Sequence, residues 1–192
     1  MNCDRIARWY RWLEYAAFGG ALRNRREAFL FELGNPQRVL VLGDGDGRFL
    51  QVFRALYPQA QIDAVDVSER MIALAKARVD GVMFHVADAR KFPFEEYDLA
   101  VAHFFFDCFE ERELSAMLAR IETKNWLVSE FRSAPWSWPV LRALYFFFRL
   151  TAGLRTKALP DHRKMLDGLG YRMKKEQNAL RGLLASELWV LF

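Results

Sequence analysis

Two spacings of hydrophobic positions alternate along the chain. Between residues 4 and 33, Ile6, Trp9, Tyr10, Leu13 and Ala17 recur at three- and four-residue steps with arginines between them, which predicts an amphipathic helical arm. Asn35-Pro36 ends it. The apolar run Val39-Leu40-Val41-Leu42, entered from Arg38, predicts a short strand buried on both faces, as a helix-covered parallel sheet requires. Helical spacing resumes over 49–57 and stops at Pro58, and a strand follows over 62–66. Ser68 then stands as an N-cap before a helix over 69–79. Strands over 82–86, 98–103 and 126–131, with a helix over 110–121, continue the alternation and predict an α/β fold with a doubly wound sheet.

The alternation breaks at 133–139, where two prolines and two tryptophans precede Tyr145-Phe146-Phe147-Phe148. This reads as an inserted aromatic segment. One more helix over 160–169 and strands over 171–177 and 187–192, separated by Gly182, close the chain as an antiparallel hairpin at one sheet edge. The expectation is a Rossmann-like seven-stranded sheet, mostly parallel, with an N-terminal helical arm. With 192 residues and 53% hydrophobic content there is material for one core rather than two, so 1–192 is expected to be a single domain. Within it, 1–34 is the arm, 35–131 the cofactor-binding core, 132–158 an inserted lid and 159–192 the closing helix and hairpin.

The net charge of +4 is spread over mixed acids and bases, with no basic stripe, which argues against a nucleic-acid partner. Cys3 and Cys108 fit neither a disulfide framework nor a zinc site, and a reducing, cytoplasmic setting is expected. Asp4, Arg5, Arg8, Arg11 and Glu14 interrupt the N-terminal apolar residues, so no signal peptide is expected. The stretch 136–154 is broken by Pro139, Arg142 and Arg149 and falls short of the roughly 18–20 apolar residues needed to span a bilayer, although it could lie on one.

The chemistry concentrates in Leu42-Gly43-Asp44-Gly45-Asp46-Gly47, three glycines at alternate positions between a buried strand and a helix. Glycine there permits close ligand approach. A dinucleotide fingerprint would need a third small residue where Arg48 stands, and would set a pyrophosphate against Asp44 and Asp46. No Lys-Ser or Lys-Thr follows to make a phosphate loop. A cationic ligand fits better, such as the sulfonium and ammonium of S-adenosylmethionine. Asp66, closing the second strand, can accept from two ribose hydroxyls, and Asp88, just after the third, can reach an exocyclic amine.

With Gly43-Asp44-Gly45-Asp46-Gly47, Val65-Asp66-Val67-Ser68 with Met71, Ala87-Asp88-Ala89 and Tyr97-Asp98-Leu99-Ala100-Val101-Ala102 in this order, the chain resembles the class I S-adenosylmethionine-dependent methyltransferase family. The likeness is to its small-molecule branch, which includes quinone and phospholipid amine methyltransferases. The resemblance implies that the glycine loop touches the methionine moiety, Asp66 the ribose, and Val67, Asp88 and Ala89 the adenine, with Met71 beside them. Tyr10 and Tyr15 of the arm are expected at the cofactor, under a lid completed by the inserted segment. The family usually carries an acid two residues before the first glycine. Val41 stands there instead, so Asp44 or Asp46 has to supply that charge.

His103, at the end of the fourth strand, meets the place where the family's acceptor lies, and a neutral imidazole there could act as general base or simply line the cofactor pocket. Asp107 could orient it, bind an amine, or cap the helix near Glu110. His85 and His162 have no metal-ligand neighbours at useful spacing, so no metal is expected. Asp98 reads as a strand-start turn residue. Arg142, Arg149 and Arg155 among the aromatics suggest a hydrophobic, lipid-like acceptor reached at a membrane surface. An aminopropyltransferase-like enzyme is the nearest alternative, but His103-Phe104-Phe105-Phe106-Asp107 is too apolar to hold a polyamine. A non-catalytic S-adenosylmethionine-binding module is the other.

Overall fold

The computed structural model describes residues 4, 12, 15, 17–133, 136–153, 156 and 159–192. Its strands are β1 (Arg38–Leu42), β2 (Gln61–Asp66), β3 (Met83–Val86), β4 (Glu96–His103), β5 (Glu122–Phe131), β6 (Tyr171–Ala179) and β7 (Leu184–Leu191). They form one seven-stranded sheet in the order β3-β2-β1-β4-β5-β7-β6. The first five run parallel, and β7 pairs antiparallel with both β5 and β6. The helices are α1 (Ala21–Arg26), α2 (Arg48–Leu56), α3 (Glu69–Lys76), α4 (Glu111–Leu118), α5 (Trp138–Ala152) and α6 (His162–Gly168). The fold class read from the sequence is the one observed.

Strand geometry explains why β1 is apolar without interruption. Alternate side chains point to opposite faces. Val39 and Val41 pack with Phe49, Phe53 and Leu127 on the α2 side, whereas Leu40 and Leu42 pack with Leu114, Trp126 and Trp189 on the α4 side. Each fully buried Leu or Phe contributes about 1.5–3 kcal/mol, so both faces must be covered for the central strand to be stable. Glu187 on β7, 1% exposed, is held by His162 Nε2 at 3.0 Å, Arg163 Nε at 2.7 Å and Trp189 Nε1 at 2.9 Å. That network ties α6 to the sheet and accounts for His162 structurally. His85 is likewise taken, by Asp63 Oδ1 at 2.6 Å.

Three local expectations are corrected, and one segment is assigned its structure. The arm is not one helix: Gly19, with φ of +57°, interrupts it, α1 ends at Arg26, and Phe29 adopts φ of +63°. The inserted segment after β5 contains helix α5, with Pro139 in its first turn, where its missing N–H leaves no partner unserved. Strand β5 starts four residues early, with Glu122 and Lys124 exposed on either side of buried Thr123. Strand β7 starts three residues early, because Leu184, Ala185 and Ser186 lie buried between β5 and β6. Among the described residues, no helix is long and apolar enough to cross a membrane.

Candidate functional site

The strand order reverses between β1 and β4, and in such sheets the carboxyl ends of the two strands part to leave a crevice. Leu42 pairs with Val65 of β2 and Ala102 of β4, so Gly43, Asp66 and His103 emerge at one level of the sheet. All three loop glycines have left-handed φ, +66° at Gly43, +68° at Gly45 and +79° at Gly47, which L side chains adopt only with strain. The loop also sits close to its neighbours. A Cβ at Gly47 would lie 2.8 Å from the backbone and side chain of Ala75 on α3.

The two acids of the loop have different environments. Asp46, 9% exposed, is clasped by Arg48 Nε at 2.8 Å and Arg78 at 3.1 Å. Asp44 accepts from the Leu50 amide at 3.1 Å and lines a small cleft with Gly45 and Asp66. Loss of hydration there pushes its carboxyl up to about 7, which the Leu50 amide and the nearby Arg26 only partly offset. Asp66 accepts from the amides of Ser68, at 2.8 Å, and Gly45. Burial raises its pKa as well. Of the two loop acids, Asp46 is thus paired with two arginines, whereas Asp44 faces the cleft. Two desolvated carboxylates about one glycine form a donor set that suits a cation and repels a diphosphate.

Around this cleft, Ser68 caps α3 by accepting from the Met71 amide, Met71 is buried against Gly45, and Val67 is exposed. Asp4 meets Ser68 Oγ and the Arg70 amide, which brings the beginning of the arm to the same strand end. Ala89 is buried, whereas the Asp88 carboxylate is gripped by Arg90 through both oxygens, and that pairing holds its pKa low. An adenine amine reaching Asp88 has to share it with Arg90.

On the β4 side, His103 is 4% exposed and its ring meets Phe49 edge-on at 4.6 Å, and among the described residues neither nitrogen has a hydrogen-bond partner. Burial, reinforced by Arg26, lowers its pKa well below the ordinary value, so the imidazole is neutral. Asp107 does not cap the following helix. Glu110 does so in a reciprocal capping box with Glu113, while Asp107 lies in a 3-10 turn over Phe106–Cys108 and burial raises its carboxyl to about 7. Tyr15 is exposed and lines a separate, arginine-rich cavity with Arg48 and Phe49; Tyr10 lies outside the described residues. Among the described residues no cluster of metal-binding side chains is found.

The sequence reading missed Glu130. This β5 residue is 2% exposed, and its Oε1 accepts from the amides of Phe105 and Phe106 at 2.9 and 2.7 Å. Its Oε2 is buried without a partner. Burial, and then the Asp107 charge, raise its pKa well above the carboxylate range. The signal was there, because an acid directly after Leu127-Val128-Ser129 occupies on β5 the kind of strand-end position that drew attention to Asp66 on β2.

Residues 39–124 match the family model described as a methyltransferase domain. A malonyl-[acyl-carrier protein] O-methyltransferase of Bacillus anthracis is 40% identical over 72 residues, 36% of this chain and 27% of that protein. A demethylmenaquinone methyltransferase of Thermotoga maritima is 31% identical over 114 residues, 57% and 49% of the two chains. The chain thus spans less than half the length of these curated relatives. Among solved structures, magnesium protoporphyrin IX methyltransferase from Synechocystis PCC 6803 with bound S-adenosylhomocysteine superposes with a TM-score of 0.68 at 16% identity, over 96% of this chain and 88% of that one.

Proposed function

We propose that this chain, whose residues 39–124 match a methyltransferase-domain model, is a class I S-adenosylmethionine-dependent methyltransferase that methylates a small, apolar-bodied acceptor. The observation that carries the reading is the pair Asp44 and Asp66, two carboxylates held short of water on either side of Gly45, where a cationic cofactor restores the charge balance. When bound, S-adenosylmethionine supplies an electrophilic methyl group.

The chain's residues bind and orient. Asp66 receives the ribose hydroxyls, Asp44 and the Gly43, Gly45 and Gly47 backbone the methionine end, and Val67, Met71, Asp88 and Ala89 the adenine. Asp46 shapes the loop through Arg48 and Arg78. Methyl transfer depends chiefly on alignment and exclusion of water. Where the acceptor has a proton to lose, Asp107, with a pKa near 7, can take it on an oxygen, and His103, kept neutral, on a ring nitrogen. The relatives' names cover malonyl-[acyl-carrier protein] and demethylmenaquinone, so they do not converge on one acceptor. Exposed Trp136, Phe146 and Leu150, together with Arg142 and Arg149 along α5, support an acceptor reached at a membrane surface. Lack of association with anionic liposomes at low salt removes that part of the reading.

Calorimetry with S-adenosylhomocysteine against NAD is the direct test. One-to-one binding of the former alone is expected, and tight NAD binding overturns the reading. Labelled S-adenosylmethionine incubated with a panel of carboxylate, phenol, amine and carbon-acid acceptors then reports transfer.

A further inference from the structure

Beside the crevice, but outside the cofactor cleft, lies a cavity of about 560 Å³ between the arm and the first half of α2. Among the described residues, the guanidinium groups of Arg23, Arg26, Arg48 and Arg78 line it with the carboxylate of Glu27, and the Asp46 carboxylate stands behind Arg48 and Arg78. Trp12, Tyr15 and Phe49 supply its apolar wall. Each of the four has an anchoring neighbour, Arg23 from an exposed position. Arg48 and Arg78 share Asp46, Arg23 pairs with Glu27 at 2.7 Å, and Arg26 lies 5.2 Å from the Phe104 ring centroid. Arginine is weakly hydrated and presents a planar fork that matches a carboxylate, so several of them about an aromatic wall select an anion on an apolar body.

The cavity shares a wall with the crevice. Phe49 lines the cavity and its ring also meets His103 edge-on, and Arg26 acts electrostatically on both His103 and Asp44. We infer that this cavity binds the acceptor by a carboxylate, so that the enzyme's substrate is an anionic amphiphile rather than a neutral or cationic one. The inference rests on the methyltransferase reading only for the role of acceptor; the anion site itself stands on the arginines.

The probe is indole-3-acetate, compared with its uncharged isostere indole-3-acetamide, each titrated into the unaltered protein. The acid should bind at least about tenfold more tightly than the amide at low salt, and that preference should shrink as salt is added. Arg23→Glu, at an exposed position outside the glycine loop, should weaken the acid severalfold and leave the amide unchanged. Equal binding of acid and amide, or an acid affinity indifferent to Arg23→Glu, overturns the inference. S-adenosylhomocysteine titrated into the same samples separates the two readings. Binding of the acid without the nucleoside keeps the anion site and sinks the methyltransferase, whereas binding of the nucleoside without preference for the acid does the reverse.

Discussion

A Cβ placed on Gly43 would lie 2.3 Å from Cδ2 of Phe105, so the first glycine of the loop and the turn after β4 are in direct contact across the mouth of the crevice. This contact makes the three glycines unequal. Gly45 has only the Met71 sulfur at 3.7 Å, an ordinary contact, and Gly47 meets the Ala75 backbone at 2.8 Å. Gly45→Ala therefore carries only the strain of positive φ, about 1 kcal/mol, and should leave the fold nearly as stable as before. Gly43→Ala must also displace a side-chain ring, and Gly47→Ala a helix backbone. Thermal melts should rank the losses Gly47→Ala above Gly43→Ala above Gly45→Ala. An equal loss at all three would show that the contacts are not what fixes the loop.

The raised carboxyls give the free protein and its cofactor complex opposite responses to pH. Asp44 and Asp107 have folded-state values near 7 against an ordinary 3.8, so the folded chain holds protons that the unfolded chain has released. Stability from these groups is full below about pH 4 and is lost as pH rises towards 7. A cation bound beside Asp44 favours its charged form, so cofactor affinity should increase up to pH 7 and level off above it. Melting curves between pH 5 and 8, with and without S-adenosylhomocysteine or S-adenosylmethionine, should diverge as pH rises, most with the charged methyl donor. Parallel curves would assign the raised carboxyls to structure alone. Asp44→Asn should make the free protein more stable at pH 8 and bind the methyl donor less tightly.

The proposed ribose contact is testable at Asp66. Asp66→Ala removes the acceptor for two ribose hydroxyls and also leaves the Ser68 and Gly45 amides unserved, so cofactor binding should weaken by about 1–3 kcal/mol and the loop should loosen. Asp66→Asn keeps one carbonyl oxygen for an amide and separates the two effects. Calorimetry on both variants, set beside their melting temperatures, checks whether affinity falls further than stability.

How much of this was legible in the sequence follows from what each residue's role depends on. The strand runs 39–42 and 62–66, the Ser68 cap and the glycine loop are local, set by side-chain period and backbone freedom, and all lie where the pattern puts them. The end of α1 and the early start of β7 depend on tertiary neighbours, which override local signals such as the polar Ser186. The acid cleft was half legible. That Asp46 is spent on Arg78, 32 residues further on, and Asp44 is not, follows from a contact that no local pattern encodes. The arginine cavity was illegible for the same reason, since Tyr15, Arg26, Arg48 and Arg78 reach it from separate parts of the chain.

His103 offers a sharp test because the imidazole is buried with both nitrogens unpartnered. A buried polar group without a partner costs about 1–3 kcal/mol, so an apolar ring or side chain of similar volume at this position should be tolerated or stabilising. His103→Leu is expected to melt no lower than the parent. If the imidazole only fills space against Phe49, turnover should survive as well; if it takes a proton from the acceptor, turnover should fall about 100-fold or more while S-adenosylhomocysteine affinity is unchanged. The pH–rate profile of the parent should show no inflection near 6.5 from this residue, because its pKa is held well below that value.

Glu130 tests the other buried end of the crevice. Its Oε1 holds the amides of Phe105 and Phe106, which positions the ring that covers Gly43. Glu130→Gln keeps that oxygen and replaces a carboxyl that burial and Asp107 hold towards its protonated form, so it should fold normally and reduce the loss of stability as pH rises above the ordinary carboxylate range. Glu130→Ala strands two buried amides, at about 1–3 kcal/mol each, and releases Phe105 from the loop. Melting temperature should therefore drop for Glu130→Ala and not for Glu130→Gln. Equal drops would mean that the charge, and not the two amide bonds, secures the turn after β4.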